Sequence, residues 1–285
     1  MNFNTAFTLR QRLAFWDAHP LYGSVPIVLP CRHRPFVMHS DNDDTVVKTL
    51  HWGGFFAGWE PTSLRLWSAL AAGASQVFDV GAYTGIYGLL AATSSDRCRV
   101  ICIEGCSRNH DRLVHNVALN GLEARIACMH AVAAQFSGPT VLYERYAADG
   151  ILSSVHSMSK RNGEPVSVEG VALDELLDRL SVPVPDLVKI DVEGAEPDVL
   201  AGMPGILAVG VTDILLEANS RAALEQSRAL LPAGYRCFAI DEAAGAVFDI
   251  DRHEAAAGAD HGRNYFLTTR RSVAEITAAL AWPAG

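Results

Sequence analysis

Three carboxylates fall within six residues in the stretch KIDVEGAE, as Asp191, Glu193 and Glu196, directly after the apolar run DLVKI. Carboxylates crowded this closely raise one another's pKa, which can bring one into the range of a general base. A hydroxyl is a weak nucleophile until such a base sits within hydrogen-bond reach. Asp191 is the candidate for that role. It ends a strand-like run in which period-two alternation puts Lys189 on its face and Ile190 on the other. Glu193 would position an acceptor or a cofactor, and Glu196 would favour the N-terminus of a short helix that Pro197 can begin. The blander account, strongest for Glu196, is a carboxylate bonding loop amides.

A second constellation is FDVGAYTG at 78–85, a strand-to-helix turn of the kind that binds ligands at the carboxyl edge of an α/β sheet. Gly81 and Gly85 permit backbone conformations and close approaches that a Cβ would block. A dinucleotide fingerprint needs glycine where this chain has Tyr83, so a diphosphate is disfavoured. Glu104 closes the next strand-like run, where a carboxylate can accept both hydroxyls of a ribose. A ribose-bearing ligand without a diphosphate fits both features, and S-adenosylmethionine is the commonest. Its cationic sulfonium and ammonium suit Asp79 and the other acidic groups. Asp79, Gly81, Tyr83, Thr84, Gly85, Glu104 and Asp191 are the cofactor-binding candidates. An ordinary tight turn is the bland reading.

Other chemistry-bearing residues are weaker signals. His156, in SSVHSM, could serve as the base instead of Asp191, although a surface histidine without a role is the commoner case. Asp191, Glu217 and Asn219 could offer oxygens to Mg²⁺, but substrate contact or loop bonding is favoured, and no metal is assigned. His110 and His115 are five apart, a spacing that does not stack two ligands on a helix. His253 and His261 have no ligand spacing.

The elements that must carry these residues alternate from Gln76 onward between short apolar runs and helical patterns, the signature of βαβ units. QVFDV, RVICIE, RIACMHAVA, PDLVKID and VTDILLEAN read as strands. SRNHDRLVHNVALNG reads as a helix with Leu113, Val114, Val117 and Ala118 on one face, Ser107 as its cap and Gly121 at its end. LDELLDRL is a further short helix, and YRCFAI, AVFDI and NYFLTT close the chain as strands. The stretch from about 135 to 170 is long for a connection and reads as a β-hairpin insertion. Residues 1–58 lack the alternation and read as an irregular cap, leaving 59–285 as the main domain.

Composition narrows the function further. The chain has 285 residues, 49% of them hydrophobic and 19% charged, with mean hydropathy +0.14, enough for one sizeable core. A net charge of −9 repels a phosphate backbone, so nucleic acid is a poor partner. The six cysteines form no C-x-x-C pair and read as reduced core residues. No run reaches the roughly 20 apolar residues of a membrane span, and the N-terminal stretch has no apolar signal core. A cytosolic protein is expected, and a homo-oligomer is compatible with the sequence.

FDVGAYTG, VICIEG, HNVALNG, VEGVALDELL, LVKIDVEGAEPDVLAGM and ILLEAN, in that order, give a chain that resembles the FkbM family of S-adenosylmethionine-dependent methyltransferases over roughly residues 58–219. The resemblance implies a class I methyltransferase fold, Rossmann-like and doubly wound, whose mostly parallel seven-stranded sheet has an antiparallel edge strand. It also implies methyl transfer to a hydroxyl of a sugar, glycolipid or secondary metabolite, a small-molecule or glycan acceptor. Glu60, in GWEP, matches a glutamate the family often carries before its first helix, which places it near the cofactor. Two departures stand out: EG follows the second strand where Glu-Pro is usual, and Tyr83 replaces an asparagine. Two rival readings remain, a nucleotide-dependent oxidoreductase, which Tyr83 disfavours, and a non-catalytic cofactor-binding protein.

Overall fold

The computed structural model describes residues 8–28, 34–54, 58–144, 163–252 and 263–281. His156, His253 and His261 lie outside the described residues. The segment read as irregular carries regular elements: helix α1 (Leu9–Ala18), an antiparallel pair β1 (Tyr22–Ile27) and β2 (Phe36–Asp41), and helix α2 (Thr45–Gly53). Asp44 starts α2 by accepting the amides of Val46 and Val47 at 2.9 and 3.0 Å, an N-cap that satisfies two orphan donors. Helix α3 (Pro61–Ala71) follows, with proline in its first turn.

The alternating part of the chain folds as a doubly wound sheet. Its strands are β3 (Gln76–Val80), β4 (Arg99–Glu104), β5 (Ile126–His130), β9 (Leu187–Ile190), β10 (Asp213–Glu217), β11 (Arg236–Asp241), β12 (Ala246–Asp249) and β13 (Asn264–Thr268), in the spatial order β12-β11-β13-β10-β9-β3-β4-β5. The count is eight, not seven. The expected antiparallel edge strand is β12, the return arm of a hairpin from β11, and a second antiparallel strand, β13, sits between β10 and β11. RIACMHAVA is two strands: after β5 the chain leaves the main sheet, and β6 (Val132–Ala133) joins β7 (Gly138–Glu144) and β8 (Glu164–Val171) in a separate sheet. β7 and β8 pair antiparallel.

Helices α4 (Ile86–Ser94) and α5 (Ser107–Leu119) connect β3 to β4 and β4 to β5. Helices α6 (Leu173–Leu180), α7 (Glu196–Ala201), α8 (Pro204–Val209) and α9 (Arg221–Ala229) serve the later strands, and α10 (Val273–Leu280) ends the described chain. Burial splits by strand parity into two apolar layers. Val77, Val100, Leu187 and Leu215 belong to one layer, Phe78, Ile101, Val188 and Ile214 to the other.

α5 departs from its expected face. Leu113 and Val117 are buried, but Val114 is 43% exposed and Ala118 is exposed, while Asn109 and Asn116 are buried instead. Asn109 faces the cavity and bonds Glu104, and Asn116 answers to the β1–β2 pair, which packs on this helix and requires polar partners for a strand edge. Asn116 accepts the His39 amide, and Asn120 both accepts from and donates to Val37. Cys106, not Ser107, occupies the N-cap position, without a side-chain bond, and Gly121 takes the left-handed conformation beyond the helix as expected.

Candidate functional site

The same parity that divides the core gathers the charges. Asp79 follows Val77 by two residues, Glu104 follows Val100 by four, Lys189 and Asp191 follow Leu187 by two and four, and Glu217 follows Leu215 by two. All five therefore face one layer at the carboxyl edge of adjacent parallel strands. There they line a cavity of about 330 Å³, together with Trp59, Glu60, Gly81, Tyr83 and Tyr87. On the β4 side its walls are apolar, from Ile103, Ala131, Val132 and Leu142; the rim near β10 carries Glu193 and Arg263.

The first turn is tied to both neighbouring strands. The amides of Gly81 and Ala82 donate to the Ile103 carbonyl at 2.9 and 3.0 Å, and the Asp191 amide donates to the Val80 carbonyl at 3.0 Å. Gly81, at φ 78°, is obligatory, because a Cβ there would stand 1.7 Å from the Asp191 carbonyl oxygen. Its role is to let the first turn and the Asp191 loop touch. Among the described residues five non-glycines adopt positive φ, and three of them line the cavity: Glu60 at 43°, Tyr83 at 51° and Glu193 at 54°. Each such conformation costs roughly 1–3 kcal/mol, and strain of this kind collects at functional sites.

Glu104 is held by the backbone. One carboxylate oxygen accepts the Tyr83 amide and the other the Cys106 amide, both at 2.8 Å. Burial pushes its pKa up to about 7, against the opposing pull of those amides and Asn109. Each oxygen keeps lone-pair capacity for a further donor. Asp79 spends one oxygen on the Gly88 amide at 2.8 Å, inside the first turn of α4, and burial raises it to about 7 against the pull of the Lys189 charge.

The opposite end is held by charge. Lys189 is 1% exposed, and its Nζ stands 3.5 Å from Asp191 Oδ2 and 5.1 Å from the centre of the Tyr87 ring. Burial alone would lower its pKa, but Asp191, Glu60, Glu217 and Asp79 outweigh that and raise it, so it remains an ammonium. Burial, followed by the Asp191 charge, lifts Glu217 to about 9, and its carboxyl donates a hydrogen bond to Asp191. Glu60 is raised by burial, with Lys189 opposing. It accepts the Tyr87 hydroxyl at 2.5 Å and the Asn264 amide at 2.9 Å. Asn264 also donates to Glu242 at 3.3 Å, and Glu242 in turn accepts the Thr62 and Ser63 amides that start α3.

Of the residues expected from the sequence, Glu60, Asp79, Gly81, Tyr83, Glu104, Asp191 and Glu193 come together on the cavity. Thr84 and Gly85 do not line it. The buried Thr84 hydroxyl donates to Asp44 at 2.8 Å, and Gly85 makes room for Leu113, 2.6 Å from where its Cβ would stand. Glu196 opens α7 itself, ahead of Pro197, and accepts the Gly194 amide at 2.7 Å, which fixes the turn carrying Glu193. Asn219 donates to Glu193 at 2.9 Å and accepts from Arg263 at 2.9 Å, so its side chain is committed to the rim. Among the described residues no three His, Cys, Asp or Glu side chains group to hold a metal ion. Sequence reasoning missed Tyr87, Asn264 and Arg263, and it left Lys189 unassigned.

The family model described as the methyltransferase FkbM domain matches residues 79–239. Among solved structures, a methyltransferase FkbM from Methylobacillus flagellatus KT is 14% identical with a TM-score of 0.44, covering 68% of this chain. This chain spans only 43% of that structure's length. A SAM-dependent methyltransferase from Agrobacterium tumefaciens is 13% identical, with a TM-score of 0.45 over 88% of this chain and 71% of its own. An O-methyltransferase from Bacillus cereus, solved with SAH, is 12% identical, with a TM-score of 0.40 over 72% and 78%. No curated protein sequence matches the chain.

Proposed function

Because the chain belongs to the FkbM methyltransferase family, we propose that it is an O-methyltransferase in which Asp191 takes the proton of an acceptor hydroxyl. The observation that carries this reading is the placement of Asp191 on the same cavity as Glu104, one strand end beyond the first turn. S-adenosylmethionine is the methyl donor, and the residues present suit it. Glu104 has lone pairs free for two ribose hydroxyls, Val132 and Leu142 offer apolar walls to a purine, and the carboxylates around Asp191 suit a cationic sulfonium. When bound, it supplies a methyl carbon already activated by the sulfonium.

The chain's own tasks are alignment and proton removal. Asp191 accepts the hydroxyl proton. Glu217, already protonated at neutral pH, donates to Asp191 and so orients it. Glu193, held by Asn219, and Arg263 at the rim contact the acceptor. A neutral acceptor, a sugar, glycolipid or secondary metabolite, fits a cavity with this excess of carboxylates. A cytosolic site fits the free cysteines 98, 102, 106, 128 and 237; among the described residues no helix is long and apolar enough to cross a membrane.

Incubation of candidate glycans and lipids with the enzyme and isotope-labelled S-adenosylmethionine tests the reading. A product heavier by one methylene, with fragmentation placing the label on oxygen, is expected. Label on nitrogen or carbon would overturn the oxygen assignment.

A further inference from the structure

Lys189 is an unusual side chain for this cavity. The chain has three lysines, Lys48, Lys160 and Lys189, and this one is buried on the floor of an acidic site. Its Nζ makes no hydrogen bond among the described residues, and its distance to Asp191, 3.5 Å, is longer than the about 2.8 Å of a charge-assisted hydrogen bond. A buried ammonium with unsatisfied donors is expensive to keep, and its retention points to a ligand group that satisfies it.

The donor carries one anionic group, the carboxylate of its amino-acid end, beside two cationic ones. The cavity mirrors that distribution. Glu60, Asp79 and Asp191 can face cations, whereas among the described residues two cationic side chains line it: Lys189, and Arg263, which is exposed and already donates to Asn219. Lys189 also lies directly beside Asp79 in the β3–β9 register, beneath the first turn and across from Glu60, so an ammonium and its counter-carboxylates stand within one small compartment. We propose that Lys189 anchors the carboxylate of the donor's amino-acid end, with Glu60 receiving the adjacent ammonium. This rests on S-adenosylmethionine being the donor and is independent of which acceptor is methylated.

Calorimetry with two probes tests it: S-adenosylhomocysteine, and the aminopropyl thioether of adenosine, which is the same molecule without its carboxylate. Wild-type enzyme is expected to bind the first about 10- to 100-fold more tightly, the range of one charge-assisted hydrogen bond. Lys189→Met should lose that preference, weakening S-adenosylhomocysteine by the same factor and the thioether by less than about threefold. Equal weakening of both probes, or a preference that survives the substitution, overturns the anchor. If Lys189→Met does not fold, nitrogen-15 lysine labelling of wild-type enzyme decides, since three lysines give at most three ammonium signals. The buried one should shift with S-adenosylhomocysteine and not with the thioether; an unmoved signal refutes the proposal. Failure of wild type to bind either probe would instead sink the donor assignment, and the anchor with it.

Discussion

Glu104 and Asp191 both stand at the carboxyl ends of parallel strands that flank β3, yet different forces hold them. Glu104 is fixed by two backbone amides from the turns on either side of it, so its position follows from the chain path alone. The Asp191 side chain is fixed by other side chains, the permanent Lys189 ammonium and the Glu217 carboxyl, the latter changing its charge with pH. A carboxylate locked to backbone suits a constant task, holding a ligand. One poised among titrating neighbours suits a task in which a proton moves.

Separating the two ends by mutation is the most direct way to break this contrast. Asp191→Asn should lower methyl transfer by about 10²–10⁴-fold, the usual contribution of a positioned base, while donor affinity measured by calorimetry stays within a few-fold. Glu104→Gln should do the reverse, weakening the donor about 10- to 100-fold. Because each Glu104 oxygen accepts an amide, the glutamine nitrogen must face a backbone N–H, so thermal stability should also fall by roughly 1–3 kcal/mol. If both variants lose binding and turnover in parallel, the division of labour is wrong.

The contrast sharpens with pH. Glu217 moves from an ordinary 4.5 to about 9 on folding, so between those values the folded protein holds a proton that the unfolded chain has released. Its contribution to stability is complete below 4.5 and is lost as pH rises toward 9. Glu104 and Asp79, both at about 7, add the same sign of slope only in the lower part of that window. Denaturation midpoints followed from pH 7 to 9 should therefore fall for wild type and flatten in Glu217→Gln. An unchanged slope would show that Glu217 is not the group titrating there.

Much of the Glu104 end was legible in the sequence, because everything that fixes it is local: a strand, a glycine turn and the next strand end lie within about thirty residues, and each leaves a motif. The Asp191 end was legible only in part. Asp191 and Glu217 announce themselves as carboxylates at strand ends, and a lysine inside the apolar run DLVKI was a signal that strand parity could have turned into a cavity residue. Tyr87 was hidden in a helix that reads as wholly apolar. Asn264 bonds Glu60 across 204 residues and leaves no pattern in either segment. The eighth strand was hidden differently: AVFDI was visible as a strand, but nothing local says whether a closing hairpin arm joins the sheet.

The smallest expected effect concerns the spacing of two asparagines in HNVALN. Four residues along a helix span about 6 Å, and two residues along a strand span about 6.6 Å. Asn116 on α5 and Asn120, which caps its C-terminus, therefore meet His39 and Val37 on β2 in step, each completing the hydrogen bonds of a strand edge with a side-chain amide. The Asn120 side chain hydrogen-bonds β2 and the Asn116 carbonyl of α5, while Asn116 also donates to the Thr84 carbonyl in the first turn at 2.8 Å. Asn120→Ala should thus cost about 1–3 kcal/mol, read as a lowered thermal midpoint, with little change in donor affinity. Asn116→Ala should lower the midpoint similarly but weaken the donor as well, because it releases the turn that presents Tyr83 to Glu104. Equal donor affinities in the two variants would show that the N-terminal segment supports the fold without bracing the site.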